Sequence, residues 1–200
     1  MNTETKAIVL ELYDIGAIKF GSFPLKSGIL SPIYIDLRLM ISYPHLMKKL
    51  SIAVNNLISP LDFDLICGVP YAALPFATAL SLQGDHPLIM CRKEAKSYGT
   101  KKMIEGKFEK GQSCLLIEDV STSGASILET AAALNKEGLK ISDAIVLLSR
   151  EQGAKESLKE HGIRLHALIS IFDLLEVLFS EKKIPEETLQ KVHAFLKVLC

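Results

Sequence analysis

Surplus charge, long apolar runs and paired cysteines are all missing from this sequence. Lys and Arg together number 23, and so do Asp and Glu, so the chain is formally neutral. A neutral domain lacks the overall basic footprint of a non-specific nucleic-acid binder, although a local basic patch is still allowed. Apolar stretches such as Ala144–Leu148 are far too short to cross a bilayer, and no membrane role is expected. The opening residues, Met1-Asn2-Thr3-Glu4-Thr5-Lys6, do not pass from a charged start into an apolar stretch, so they do not read as a signal peptide. Cys67, Cys91, Cys114 and Cys200 form no Cys-x-x-Cys pair, and the first three border apolar runs, as small reduced core residues do. A cytoplasmic protein is expected. Gly-x-Gly-x-x-Gly, Gly-Lys-Ser/Thr and His-Glu-x-x-His are also absent, so neither a dinucleotide fingerprint, a Walker A loop nor a structural metal is expected.

What is present is an ordinary globular composition, 48% hydrophobic and 23% charged over 200 residues, enough for one domain with a real core. Short apolar runs at Leu65–Gly68, Leu88–Cys91, Cys114–Ile117, Ala144–Leu148 and Leu165–Ile171 are nearly continuous rather than alternating. That pattern predicts strands buried on both faces of a parallel sheet. Helices are predicted over Lys6–Gly16, His45–Ile58, Leu74–Leu82, Ser126–Glu137, Gly153–His161, Ile171–Ser180 and Glu186–Leu199. The alternation argues for an α/β domain with right-handed crossovers. The segment Phe20–Arg38, broken by Gly21, Pro24, Gly28 and Pro32, predicts short strands in a separate layer. Between Cys91 and Ser113 lie 21 residues with no convincing buried element, and Arg92–Lys110 carries seven basic and three acidic residues. A stretch that long inside a compact domain is often a lid or binding loop.

Chemistry is concentrated in Leu115-Leu116-Ile117-Glu118-Asp119-Val120-Ser121-Thr122-Ser123-Gly124-Ala125-Ser126. An apolar strand runs into two carboxylates, small and hydroxyl residues follow, and a helix begins. The C-terminal end of a parallel strand faces the ligand crevice of α/β proteins. Small residues before a helix N-terminus let backbone N–H groups cradle a phosphate. Paired acids can accept hydrogen bonds from sugar hydroxyls or hold a divalent cation through water. The plainer alternative is a strand–turn–helix capped by Ser121 or Ser123.

These residues resemble the phosphoribosyl pyrophosphate (PRPP) signature of type I phosphoribosyltransferases. Phe20-Gly21-Ser22-Phe23-Pro24-Leu25-Lys26-Ser27-Gly28 and Ser31-Pro32-Ile33-Tyr34-Ile35-Asp36 resemble the N-terminal hood of orotate phosphoribosyltransferases. Arg92-Lys93-Glu94-Ala95-Lys96-Ser97-Tyr98-Gly99 resembles their mobile catalytic loop, and Leu148-Ser149-Arg150-Glu151-Gln152-Gly153 their base-contacting segment. The likeness runs in family order from about Leu12 to Phe195. Its details are closer to the orotate phosphoribosyltransferase half of animal UMP synthase, with Tyr98 and Ala72 where bacterial forms usually carry His and Lys. Ser149 replaces the usual Asp.

The resemblance implies a type I phosphoribosyltransferase fold: a central, mostly parallel sheet flanked by helices, with an N-terminal hood subdomain. It implies a single domain over 1–200, with the hood formed mainly by 1–40 plus C-terminal residues and the catalytic loop at about 92–110. The implied reaction is orotate plus PRPP giving orotidine 5′-monophosphate and pyrophosphate, with Mg²⁺. Lys26, Lys96 and Asp119 would be catalytic. Glu118 and Asp119 would hold the ribose hydroxyls and orient the Mg²⁺ complex. Val120, Ser121, Thr122, Ser123, Gly124, Ala125 and Ser126 would bind the rest of PRPP, with Thr122–Ser126 on its 5′-phosphate. Arg92, Lys93 and Lys96 would clamp pyrophosphate, with Tyr98, Tyr71 and Ala72 beside it. Lys26, Tyr34, Ile35, Thr122 and Arg150 would meet orotate, Arg150 at its carboxylate. A homodimer sharing the loop between subunits is implied, and association with a separate orotidine monophosphate decarboxylase is conceivable. Alternatives are transfer to another base, or a PRPP-binding regulator without turnover. Taken singly, Lys26 reads as a solvated lysine, Tyr34 as strand packing and Arg150 beside Glu151 as a surface ion pair.

Overall fold

The computed structural model describes residues 1–24, 28–93 and 103–199. Lys26, Lys96, Tyr98 and Cys200, all singled out from sequence, lie outside the described residues. In chain order the elements are α1 (Thr3–Asp14), β1 (Ile18–Pro24), β2 (Leu30–Ile35), a 3-10 turn (Leu37–Ser42), α2 (Pro44–Ile58), β3 (Leu65–Gly68), α3 (Leu74–Gly84), β4 (Leu88–Cys91), β5 (Ile104–Glu105), β6 (Cys114–Ser121), α4 (Ala125–Lys136), β7 (Asp143–Ser149), α5 (Ala154–Glu160), β8 (Arg164–Ser170), α6 (Ile171–Ser180) and α7 (Glu186–Leu199).

Six strands form one sheet in the order β5-β4-β3-β6-β7-β8, parallel except for β5 at the edge. Strand side chains alternate between faces, and the core divides accordingly. Ile66, Leu115, Ile117, Ile145 and Leu147 pack on one side with α1, α2, α3, α6 and α7. Leu65, Cys67, Cys114, Leu116, Ala144 and Val146 pack on the other with α4 and α5. Because both faces are covered, β3 and β7 are buried along their whole length, which is why the runs Leu65–Cys67 and Ala144–Leu148 are continuously apolar. Cys67, Cys91 and Cys114 are free and buried, as expected from their settings. Burial pushes the Cys67 thiol up to about 12 and also raises Cys91 and Cys114.

From β3 the chain crosses by α3 to β4 on one side; from β6 it crosses by α4 to β7 on the other. The strand order therefore reverses between β3 and β6, and the C-terminal ends of these two strands flank the crevice that such a reversal opens. Gly68 closes β3 beneath α3. A Cβ there would stand 3.0 Å from Ala77 Cβ and 3.2 Å from the Ala73 carbonyl, so only glycine lets the helix lie this close. The antiparallel pair β1–β2 forms a separate two-stranded layer, as predicted for Phe20–Arg38, and α7 packs against β2.

Besides shifts of a few residues at helix ends, such as α1 starting at Thr3 and not at Lys6, three differences from the sequence prediction have a clear physical cause. Strand β6 does not stop at Ile117; it continues through Glu118, Asp119 and Val120 to Ser121, because β7 runs alongside and pairs with it as far as Ser121↔Ser149. The acidic pair thus lies inside the ladder. Ile171 opens α6 instead of ending β8, since the Ser170 hydroxyl accepts from the Asp173 N–H and caps the helix. The stretch 92–112 is not without buried structure: β5 pairs with β4, and Ile104 is buried.

Candidate functional site

The site begins where β6 leaves the core. Glu118 is buried, and its Oε2 accepts a 2.7 Å hydrogen bond from Ser126 Oγ on the first turn of α4. Its Oε1 accepts from the Asp119 N–H at 3.2 Å. Burial, with a hydrogen bond to Asp119 second, raises the Glu118 carboxyl to about 8. Asp119, next along the strand, is half-buried. The strand and the helix behind it therefore hold two carboxylates side by side in different environments.

Thr122 and Ser123 then turn, exposed, into α4. Neither Ser121 nor Ser123 caps this helix. The N-cap is Gly124, with φ +79°, and no side chain bonds the first-turn amides. The N–H groups at the start of a helix have no partner within it, so this turn presents donors and the positive end of the dipole to the crevice. Gly124 is needed twice. Its φ is left-handed, and a Cβ would stand 3.2 Å from Leu158 Cγ. Gly124→Ala is expected to lower stability by about 1–3 kcal/mol, read from the urea midpoint, and to weaken binding of a phosphate ligand in the same sample.

Across the crevice, the segment after β3 starts with the Val69 N–H donating 2.8 Å to the Ile117 carbonyl, which ties it to β6. The Pro70–Tyr71 peptide is cis, and Tyr71 is exposed. Lys93 Nζ lies 5.4 Å from the centroid of the Tyr71 ring. Arg92, expected to clamp pyrophosphate, is paired within the chain: its Nε and Nη2 donate to Glu105 Oε1 at 2.9 and 2.6 Å.

Arg150 follows β7, and its N–H donates 2.9 Å to the Ser121 carbonyl. Its Nε and Nη2 are buried without a partner among the described residues, as is the Ser121 hydroxyl beside it. Burial lowers the affinity of this guanidinium for its proton. Buried donors left without an acceptor are costly, so these two nitrogens point to a ligand that supplies one.

In the small layer, Tyr34 is 38% exposed and leans on Phe23 with centroids 5.4 Å apart; Ile35 is half-buried. Two residues missed from sequence stand nearby. Asp36 accepts from Arg38 Nε at 2.6 Å and Nη2 at 2.8 Å. The Arg38 guanidinium is held charged chiefly by Asp36, with Tyr34 and Asp119 adding to the effect. A bare Asp-Leu-Arg tripeptide gives no hint of this, because the fork depends on the 3-10 turn that follows β2.

The chain thus brings Glu118, Asp119, the 122–126 turn, Tyr71 and Ala72, Lys93 and Arg150 to the C-terminal edge of one sheet. Among the described residues no cluster of three His, Cys, Asp or Glu could hold a metal, and no helix is long and apolar enough to cross a membrane. Two carboxylates suit a hydrated divalent cation that draws its other ligands from a phosphate substrate.

Residues 41–164 match the model of the phosphoribosyl transferase domain. The uridine 5′-monophosphate synthase of Bos taurus is 46% identical over 193 residues, which cover 96% of this chain and 40% of the synthase. The orotate phosphoribosyltransferase of Caenorhabditis elegans is 43% identical over 187 residues, covering 92% of this chain and 82% of that enzyme. The structure of Leishmania donovani UMP synthase superposes with a TM-score of 0.89 at 35% identity, over 96% of this chain and 42% of that one. The chain spans about two fifths of the synthases and most of the shorter enzyme.

Proposed function

The chain belongs to the phosphoribosyl transferase family, and we propose that it transfers the 5-phosphoribosyl group of PRPP to N1 of orotate, giving orotidine 5′-monophosphate and pyrophosphate. The observation that carries the choice of base is Arg150: a purine brings no anion to the guanidinium, whose Nε and Nη2 are buried without a partner among the described residues, whereas orotate brings a carboxylate.

In this reaction the bond between the anomeric carbon and pyrophosphate breaks early, and the ribose acquires oxocarbenium character, as in glycoside cleavage. The protein's tasks are to grip both phosphate groups, hold the ribose, present N1 and keep water out. The amides of Thr122–Ser126 take the 5′-phosphate, with Val120 and Ser121 shaping the strand that delivers them. Glu118 and Asp119 accept from the ribose hydroxyls, with Asp119 the catalytic member of the pair. Tyr71, Ala72, Arg92 and Lys93 receive the pyrophosphate, joined by Lys96 and Tyr98. Tyr34 and Ile35 flank the pyrimidine ring, Lys26 approaches from the same layer, and Thr122 and Arg150 hold its polar edge. Glu118 and Asp119 are also the residues that would hold Mg²⁺ through water, and the ion would neutralise charge on the departing pyrophosphate.

Residues 1–40 with α7 act as the hood over this crevice, supported by the packing of α7 on β2. We further assign a homodimer that shares the 92–110 loop. Exposed large apolar side chains, among them Leu39, Ile41, Tyr71 and Met90, support it. A cytoplasmic location and an association with a separate orotidine monophosphate decarboxylase complete the reading; the greater length of the synthase relatives supports the latter. The test is the loss of orotate absorbance on mixing protein, PRPP, orotate and Mg²⁺. Loss that needs all three additions is expected. Turnover of uracil or a purine in place of orotate overturns the assignment.

A further inference from the structure

Arg92 leaves the sheet at the point where β4 and β5 stop pairing. Its N–H donates 2.8 Å to the Met103 carbonyl, adding one bond beyond the Met90↔Glu105 and Cys91↔Ile104 pairs. On this short ladder its side chain meets Glu105, with both Nε and Nη2 on the single oxygen Oε1. Each side chain is about one-third exposed, at 36%. Lys93, the next residue, rests over the Tyr71 ring. Both described cations assigned to the pyrophosphate therefore already have partners in the ligand-free protein.

The two partners differ in kind. An exposed ring contact is weak and does not oppose an anion by charge. A carboxylate competes for the same donors and repels the phosphate oxygens that approach them. Pyrophosphate arriving at Arg92 must take Nε and Nη2 from Glu105. When it leaves, Glu105 recovers them, so the guanidinium is not stranded as the product departs.

We propose that Glu105 is the counterion that pyrophosphate displaces from Arg92, a positioning residue that loosens the grip on the leaving group and speeds its release. The inference rests on the assignment of Arg92 to pyrophosphate, and the test separates the two. Inorganic pyrophosphate with Mg²⁺ is titrated calorimetrically into the full chain, the Glu105→Gln and Arg92→Ala variants, and the double variant. Glu105→Gln is expected to bind about fivefold more tightly, the ratio carried by a partly exposed ion pair, and its product-inhibition constant for pyrophosphate to fall equally. Arg92→Ala is expected to bind more weakly, and Glu105→Gln to make no further difference in that background.

Unchanged or weaker binding in Glu105→Gln overturns the proposal, because a residue that merely braced Arg92 would lower affinity when lost. Tightening that persists without Arg92 also overturns it, since plain repulsion would then suffice. If Arg92→Ala binds pyrophosphate normally, the assignment of Arg92 itself fails and the proposal falls with it. Glu105→Ala, which removes the acceptor entirely, is expected to shift affinity in the same direction as Gln. Equal unfolding midpoints confirm that the variants share one fold.

Discussion

Replacing Arg150 by Met is expected to raise the KM for orotate about 100-fold or more, while the unfolding midpoint stays level or rises. Both effects have one cause. Arg150 is half-buried, and its Nε and Nη2 are buried without a partner among the described residues, so these donors burden the empty protein and reward a bound anion. Losing one member of a desolvated, hydrogen-bonded charge pair costs roughly 2–5 kcal/mol of binding, or about 30- to 4,000-fold. An apolar chain of similar length removes the stranded charge from the ligand-free state. PRPP affinity, measured by calorimetry on the same variant, is expected to stay close to that of the parent chain. An unaltered orotate KM in Arg150→Met would remove Arg150 from the site.

The second large effect is a pH dependence centred on Glu118. Its carboxyl is raised from an ordinary value of 4.5 to about 8 in the folded chain. Between those limits the folded protein keeps a proton that the unfolded chain has lost. Stability of the ligand-free protein therefore falls as pH rises from about 5 to about 8 and levels off above that, by several kcal/mol at most. Urea unfolding at a series of pH values is expected to show this slope, and Glu118→Gln to flatten it. A bound divalent cation would favour the ionised form and expel the proton near neutral pH. Calorimetry of Mg²⁺–PRPP in buffers of different ionisation enthalpy is expected to record that release, and not to record it in Glu118→Gln. A flat stability profile in the parent chain would mean that Glu118 is already ionised when the site is empty.

Much of the architecture could be read from the residues because burial on both faces leaves a plain signature. The apolar runs at Leu65–Gly68 and Leu88–Cys91 coincide with β3 and β4, and Ile171–Ser180 with α6. The end of β6 could not be read in this way. Glu118 and Asp119 look like residues beyond a strand, and only the length of β7 beside them keeps them in the ladder. For the same reason β5, two residues long, has no period to detect. At the site, the order of acids, hydroxyls and glycine from 118 to 126 revealed the cradle, yet the Gly124 cap went unseen because serines are the usual choice. The weight on Arg150 was hidden too. Its neighbour in sequence is Glu151, and only tertiary burial of Nε and Nη2 separates a buried, waiting cation from a surface pair. Glu105 lay thirteen residues from Arg92 with nothing in the sequence to join them.

The reversal of strand order between β3 and β6 also bears on how the chain folds. Asp64 and Ser113, at the start of these neighbouring strands, are 49 residues apart and exchange hydrogen bonds. Such a closure is among the slower steps available to a chain of this size. The two halves of the crevice hang from the far ends of this same pair, at Val69–Ala73 and Asp119–Ser126, so neither half can face the other until the distant strands have met. A ligand that spans both halves acts as a clamp across that seam, and its binding energy resists separation of the central sheet. Hydrogen exchange would register that clamp in the amides of β3 and β6, well beyond the loops that touch the ligand.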